Sequence, residues 1–175
     1  MASWNVRLDG VDQRLFLALL SRRKPWMDRL MRGVTVLAEP PVIVAIALIL
    51  ASGAIPSLAP AGLESLVVLI VSHALVQFIK RVATRPRPRL PVGVRSIAQT
   101  PDRFSFPSGH ATAALAVALP LVGAVPPGVT ALILGVAAAI GVSRCYLGIH
   151  YPGDVVSGWA LATLTWAVGN ATWFA

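Results

Sequence analysis

The chain has 175 residues, 56% of them hydrophobic and only 13% charged, with a mean hydropathy of +0.73. That apolar share exceeds an ordinary soluble domain's, and several runs approach the roughly 20 residues that cross a bilayer. A soluble enzyme is therefore excluded, and one membrane-embedded domain over residues 1–175 is expected. The formal charge of +8 flanks the apolar runs rather than coating a soluble face. It points to anionic lipid or a phosphorylated substrate, and away from nucleic acid.

Residues 1–10 lack the charged-then-apolar order of a cleavable signal. Between Val11 and Arg23 apolar residues recur at helical spacing, Leu15 with Leu19 and Phe16 with Leu20, among Arg14, Arg22 and Arg23. The segment is too short and too charged to span. It predicts an amphipathic helix, either lying in the membrane interface or packed on the bundle. Pro25 and Trp26 open a helix predicted to run through Arg29 and Arg32 to about Ala54, kinked where Glu39-Pro40-Pro41 interrupts it. Trp26 suits the headgroup level. Glu39 reads either as a functional carboxylate or as a packing or interfacial one.

A second span is predicted over 63–82, carrying His73 and Gln77 and ending at Lys80-Arg81. His73, alone at midspan, reads as a packing histidine. Residues 84–103 are the longest polar segment, broken by Pro86, Pro88 and Pro91, and suit a lid or binding surface. A third span is predicted over 106–124, with Pro107 in its first turn and Ser108 as a cap. A fourth, 129–143, holds Gly135, Ala139 and Gly141, residues that permit close helix contact. A fifth, 155–174, holds Trp159, Trp166 and Trp173. The expected fold is an all-α polytopic bundle of about five transmembrane helices plus the N-terminal interfacial helix, without internal repeats.

Between the last two spans stands Ser143-Arg144-Cys145-Tyr146-Leu147-Gly148-Ile149-His150-Tyr151-Pro152-Gly153-Asp154. Three ionisable groups inside so apolar a chain are costly unless they are wet, paired or functional. An imidazole can attack phosphorus or move a proton near neutral pH. A carboxylate four residues on can accept its other N–H and hold its tautomer. Arginine supplies a planar fork of donors for phosphate oxygens. Alternation of spans then brings Lys80, His110 and His150 out on one side, whereas the opposite loops are uncharged.

The pattern Lys80-x6-Arg87-Pro88, then Pro107-Ser108-Gly109-His110, then Ser143-Arg144-x5-His150-x3-Asp154 resembles the three signature motifs of the type 2 phosphatidic acid phosphatase family. That family groups with the vanadium haloperoxidases and acid phosphatases. The resemblance implies that His150 attacks phosphorus to give a phosphohistidine, which water then hydrolyses, and that Asp154 orients it. It implies that His110 protonates the leaving lipid alkoxide and then activates the water. Lys80, Arg87, Arg144, Ser108 and the Gly109 N–H would hold the phosphoryl oxygens. Three cations then do what metal ions do in other phosphoryl transfers. No carboxylate cluster at metal-like spacing is visible, so no metal or cofactor is expected. Arg85, Arg89, Arg95 and Arg103 read as a solvated basic rim or as headgroup contacts.

The substrate implied is a membrane lipid phosphate: phosphatidate, phosphatidylglycerol phosphate, or a polyprenyl phosphate or diphosphate such as undecaprenyl diphosphate. All 15 Lys and Arg fall on the motif side or in the N-terminal segment. The positive-inside rule puts that side in the cytoplasm, although several bacterial relatives are understood to work on the outer face. An inward site in the cell (inner) membrane suits an intermediate made in the cytoplasm, such as decaprenylphosphoryl-phosphoribose. Two other readings share some features. A vanadate-dependent peroxidase shares the anion pocket, but such enzymes lack the spans. A non-catalytic protein binding anionic lipid has no use for two histidines and an aspartate at these spacings.

Overall fold

Proline sets where most of the helices begin. The computed structural model describes residues 2–91, 96–97 and 103–172, with side chains from residue 10 onward. Among these residues there are seven α-helices and no β-strand: α1 (Ala2–Leu20), α2 (Pro25–Val36), α3 (Pro40–Ala51), α4 (Ala59–Ala83), α5 (Gly109–Ala118), α6 (Pro127–Tyr146) and α7 (Pro152–Thr172). Proline opens α2, α3, α6 and α7, where its missing N–H has no helical partner to lose. Trp173 and the end of the fifth expected span lie outside the described residues.

The single kinked helix expected over 25–54 is two helices. α2 and α3 meet at 50°. Pro40 and Pro41 cannot donate to the carbonyls of the preceding turn, and their rings crowd it, so a new helix starts with Glu39 as its N-cap. The third expected span is also shorter. α5 has 10 residues and passes into a 3-10 turn over Leu119–Leu121, where Pro120 again removes a donor. Its expected first-turn residue Pro107 lies outside the helix, which begins at Gly109 with Ser108 as N-cap. Residues 56–83 and α6 are each long and apolar enough to cross a membrane, and the bent α2–α3 pair makes a third if it is one span.

α5 sits at the centre, against α4, α6 and α7. Its sequence explains this position. Ala111, Thr112, Ala113, Ala114, Ala116, Val117 and Ala118 are all buried, and small side chains let three neighbours approach closely. Ser65 Oγ of α4 donates to the Val117 carbonyl at 3.1 Å as well as to its own Ala61 at 2.8 Å. On the α7 side, a Cβ at Gly158 would lie 2.7 Å from the Ser108 carbonyl oxygen and 2.8 Å from Thr112 Oγ1. Gly141 of α6 is likewise pressed against Trp159 and Val155, as expected, but Gly135 faces open space.

α1 takes the second of its two expected placements, packed on the bundle. Asp12, Phe16 and Leu20, four residues apart, are buried on one face, and the helix packs on α6 and α7. Val11, Leu15 and Leu17 are exposed.

Two glycine substitutions separate packing from propensity. Gly158→Ala is expected to lower the thermal midpoint in detergent, by overpacking worth about 1–3 kcal/mol. Gly135→Ala is expected to leave it unchanged or raise it, because alanine is the better helix former and meets no neighbour. Equal losses in both would contradict the packing described.

Candidate active site

The motif between α6 and α7 folds as a tight reversal. The last turn of α6 is buried from Ser143 to Tyr146. The chain then turns at Gly148, whose φ of +87° strains any other residue. The N–H groups of Ile149 and His150 both donate to the Arg144 carbonyl, at 3.2 and 3.3 Å. Pro152 starts α7 and puts Asp154 in its first turn, where the helix dipole favours a carboxylate.

Asp154 is fully buried, at 0% exposure, and His150 is 2% exposed. His150 Nδ1 lies 3.5 Å from Asp154 Oδ2, an orienting electrostatic contact just beyond a full hydrogen bond. His150 Nε2 lies 3.4 Å from an Arg87 guanidinium nitrogen. Guanidinium can only donate and carboxylate can only accept, so these neighbours assign the tautomer. The proton belongs on Nδ1, and the lone pair on Nε2. Burial pushes the His150 imidazole down to about 4, more than the neighbouring Asp154 raises it, and Arg87 and Arg144 lower it further. The ring is thus neutral at physiological pH and keeps the electron pair a nucleophile needs.

The second motif faces it across the bundle. Ser108 donates its backbone N–H to the Asp154 carbonyl at 2.9 Å, which locks the start of α5 to the start of α7. The Ser108 hydroxyl is buried and makes no cap hydrogen bond. An orphaned buried hydroxyl beside a helix N-terminus is suited to an anion's oxygen. Gly109 and His110 open α5. His110 Nε2 lies 3.4 Å from Glu39 Oε1, a carboxylate carried there by the α2–α3 bend.

The cations complete the ring. Arg144 is 2% exposed and donates to Thr35 Oγ1 of α2 at 2.7 Å. Arg87 donates to the Ile149 carbonyl at 2.8 Å. Lys80 is buried in the last turn of α4. One cavity of about 690 Å3 is lined at its polar end by Lys80, Arg87, Gly109, His110, Arg144 and His150. The same cavity continues between α3 and α4 along Ile43, Val44, Leu66, Leu69 and Ile70. His73 and Gln77, 3.1 Å apart, also line it, so His73 is a wall residue rather than a packed one. Asp154 stands behind this lining as a buried support, and the buried Ser108 hydroxyl precedes the lining residue Gly109 in sequence.

Four contributing residues were not singled out by motif. Arg85, expected on the rim, is part-buried and binds Asp154 Oδ1 at 2.8 Å and Asp12 Oδ2 at 2.9 Å. Burial alone would lower its pKa, but the two carboxylates raise it. Asp12 and Thr35 come from helices outside the motifs, and only the fold brings them here. Glu39 was legible as an odd carboxylate in an apolar run. Arg89 and Arg103 do lie exposed, and Arg95 is outside the described residues.

This geometry meets its relatives over the stretch that holds all three motifs. Residues 61–174 match the PAP2 superfamily. The chain belongs to the PAP2 superfamily. It is 41% identical over 100 residues to the decaprenylphosphoryl-5-phosphoribose phosphatase of Mycobacterium tuberculosis, covering 56% of this chain. The chain spans about half the length, 53%, of that relative. It is 30% identical to phosphatidylglycerophosphatase B of Bacillus subtilis over 168 residues, covering 90% of this chain and 80% of the relative. Among solved structures, a transmembrane PAP2-type phosphatidylglycerolphosphate phosphatase from B. subtilis superposes with a TM-score of 0.77 at 26% identity, covering 94% of this chain and 85% of that one. Aquifex aeolicus LpxE shares the fold, with a TM-score of 0.76 at 24% identity over 90% of this chain and 93% of that one. The PAP2 assignment and these neighbours make the chain a membrane protein.

The His150 environment predicts an unusual titration. In protein carrying 15N-histidine, the resonance absent from His150→Ala is expected to stay neutral, protonated on Nδ1, as pH falls through about 6.5, the ordinary histidine value. It should charge only towards pH 4. Titration between pH 6 and 7 would contradict the burial argument.

Proposed function

We propose that the protein is an integral-membrane lipid phosphatase working through a phosphohistidine. The observation that carries this reading is the single cavity joining a ring of three cations and two histidines to an apolar groove between helices. A substrate matching it has a phosphate on one end and a long apolar chain on the other. His150 Nε2 donates its pair to phosphorus while the P–O bond to the lipid breaks, and the leaving alkoxide takes a proton from His110. Neutral His110 then removes a proton from water, the hydroxide attacks phosphorus, and the P–N bond breaks to release phosphate and free His150. Lys80, Arg87, Arg144, the Ser108 hydroxyl and the Gly109 N–H stabilise the equatorial oxygens, where charge sits in the transition state. Asp154 supports the ring as it passes through a charged form.

The favoured substrate class is a phosphomonoester at the polar end of a lipid. The mycobacterial relative's name supports decaprenylphosphoryl-5-phosphoribose, and the Bacillus relative supports phosphatidylglycerol phosphate. The site is proposed to open at the cytoplasmic face of the inner membrane. In support, twelve of the 15 Lys and Arg on the site side and N-terminal segment remain after setting aside Lys80, Arg87 and Arg144.

Phosphate release by purified protein in detergent, on a panel of these lipids with chelator present, tests the function. Activity is expected without added metal, and loss restored by one divalent ion would refute the mechanism. General acid catalysis is worth about 10² to 10⁴-fold, so His110→Ala should lose that much on lipid substrates. It should lose distinctly less in the phosphorylation step with p-nitrophenyl phosphate, whose leaving group needs little protonation. Identical losses on both would remove His110 from the acid role.

Sidedness has its own test. Ser96 is an exposed described residue of the polar segment on the motif side, and Cys145 is buried. Ser96→Cys in a Cys145→Ala background is expected to resist a membrane-impermeant maleimide in intact cells and to react after permeabilisation. Ready labelling of intact cells would turn the site outward.

A further inference from the structure

The N-terminal helix reaches the nucleophile through one arginine. We infer that Arg85, braced by Asp12 of α1, is a positioning residue for the Asp154–His150 pair, so that α1 belongs to the catalytic apparatus and is more than an anchor. The inference rests on the reading of His150 as nucleophile.

The contacts form a continuous chain. One Arg85 nitrogen, Nη1, donates to Asp154 Oδ1 at 2.8 Å, and the other, Nη2, donates to Asp12 Oδ2 at 2.9 Å. Asp12 Oδ1 accepts the Gly153 N–H at 2.8 Å, and Asp154 Oδ2 accepts the Tyr151 N–H at 2.8 Å. The guanidinium lies over the Tyr151 ring at 4.5 Å. Phe16, one turn after Asp12 on α1 and fully buried, meets that ring edge-on at 5.5 Å. α1 therefore grips Arg85 and Tyr151 together, by charge from Asp12 and by packing from Phe16.

This arrangement has two consequences for catalysis. Arg85 on Oδ1 and the Tyr151 N–H on Oδ2 restrain the Asp154 carboxylate, with Oδ2 aimed at His150 Nδ1. Arg85 also offsets part of the Asp154 charge, which limits how far that carboxylate raises His150. Among the described residues, the other charged or titratable groups facing His150 are Arg87, Arg144 of α6 and His110 of α5, with Lys80 of α4 lining the same cavity. Removing Arg85 leaves Asp154 as a stronger stabiliser of the imidazolium. His150 should then charge at a higher pH than in the parent protein.

The test is steady-state hydrolysis of p-nitrophenyl phosphate across pH 4–8 by the parent, Arg85→Gln, Arg85→Lys, Asp12→Asn, the Arg85→Gln/Asp12→Asn double variant and His150→Ala. Loss of the partner that orients a metal-bound histidine typically costs about 10 to 100-fold, and the same order is expected for a partner that orients the carboxylate behind His150. Arg85→Gln is expected to lose that much in kcat, with KM within about threefold by the same reasoning, since the phosphate-binding cations are untouched. Its acid limb should move to higher pH relative to the parent; the substrate's own ionisation is common to both. Arg85→Lys keeps the charge but not the fork, and should fall between the two. If Asp12 acts through Arg85, the double variant loses no more than Arg85→Gln alone.

Multiplying losses in the double variant, or a loss in kcat with an unmoved acid limb, would overturn the inference. Should Arg85→Gln fail to fold, Asp12→Asn carries the test, since it keeps an acceptor for the Gly153 N–H. A reduced kcat with a shifted limb supports the inference, and an unchanged kcat overturns it. His150→Ala separates the two levels of the argument. If it stays active, the nucleophile assignment itself fails. If it is dead while the Arg85 and Asp12 variants match the parent, only the positioning role fails.

Discussion

A carboxylate with no access to water holds this site together. Burying an ion carries a penalty of several kcal/mol unless close partners offset it, and Asp154 is 0% exposed. Its partners are Arg85 on one oxygen, the Tyr151 N–H on the other, and His150 within 3.5 Å. Its own backbone carbonyl receives the Ser108 N–H. One residue therefore ties together the polar segment after α4, the reversal between α6 and α7, and the start of α5. Each of those three places carries one signature motif. The convergence of the motifs is thus a condition of the fold as well as of the chemistry.

Around that anchor the chain gathers positive charge. Lys80 and Arg144 are buried and Arg87 is half-buried, all at the polar end of one cavity. Cations crowded in a low-dielectric setting repel one another and favour a multiply charged anion. The proposed substrate, a phosphoryl group on a lipid, matches both ends of the cavity, the cationic head and the apolar groove between α3 and α4. Under the proposed function, donors already held by the scaffold need little reorganisation as charge moves in the transition state. Arg144 shows how: its guanidinium is fixed by Thr35, a residue of α2 far from any motif.

The residues that converge at the candidate site were readable from sequence because their spacing is local. His150 and Asp154 are four residues apart around one helix start, and Ser108, Gly109 and His110 are consecutive at another. Helical character was readable for the same reason, through apolar runs and proline stops. The supporting residues were not. Arg85 looks like one arginine of many in a polar segment, and nothing near it in sequence announces Asp12, 73 positions away. Helix lengths were misjudged where proline acts inside an apolar run: Pro40 and Pro41 split one expected helix, and Pro120 ends α5 early. Gly135 shows the limit of composition, since a small residue in a span can face open space as readily as a neighbour.

The most direct measurement is rapid-quench trapping of phosphate bound to the protein during turnover of 32P-labelled p-nitrophenyl phosphate, whose leaving group needs little protonation. The account predicts an acid-labile, base-stable phosphohistidine in the parent protein, and more of it in His110→Ala, where the base that activates water is gone. It predicts none in His150→Ala. Phosphoenzyme in His150→Ala, or its absence from both the active parent and His110→Ala, would contradict the assignment of His150 as the nucleophile.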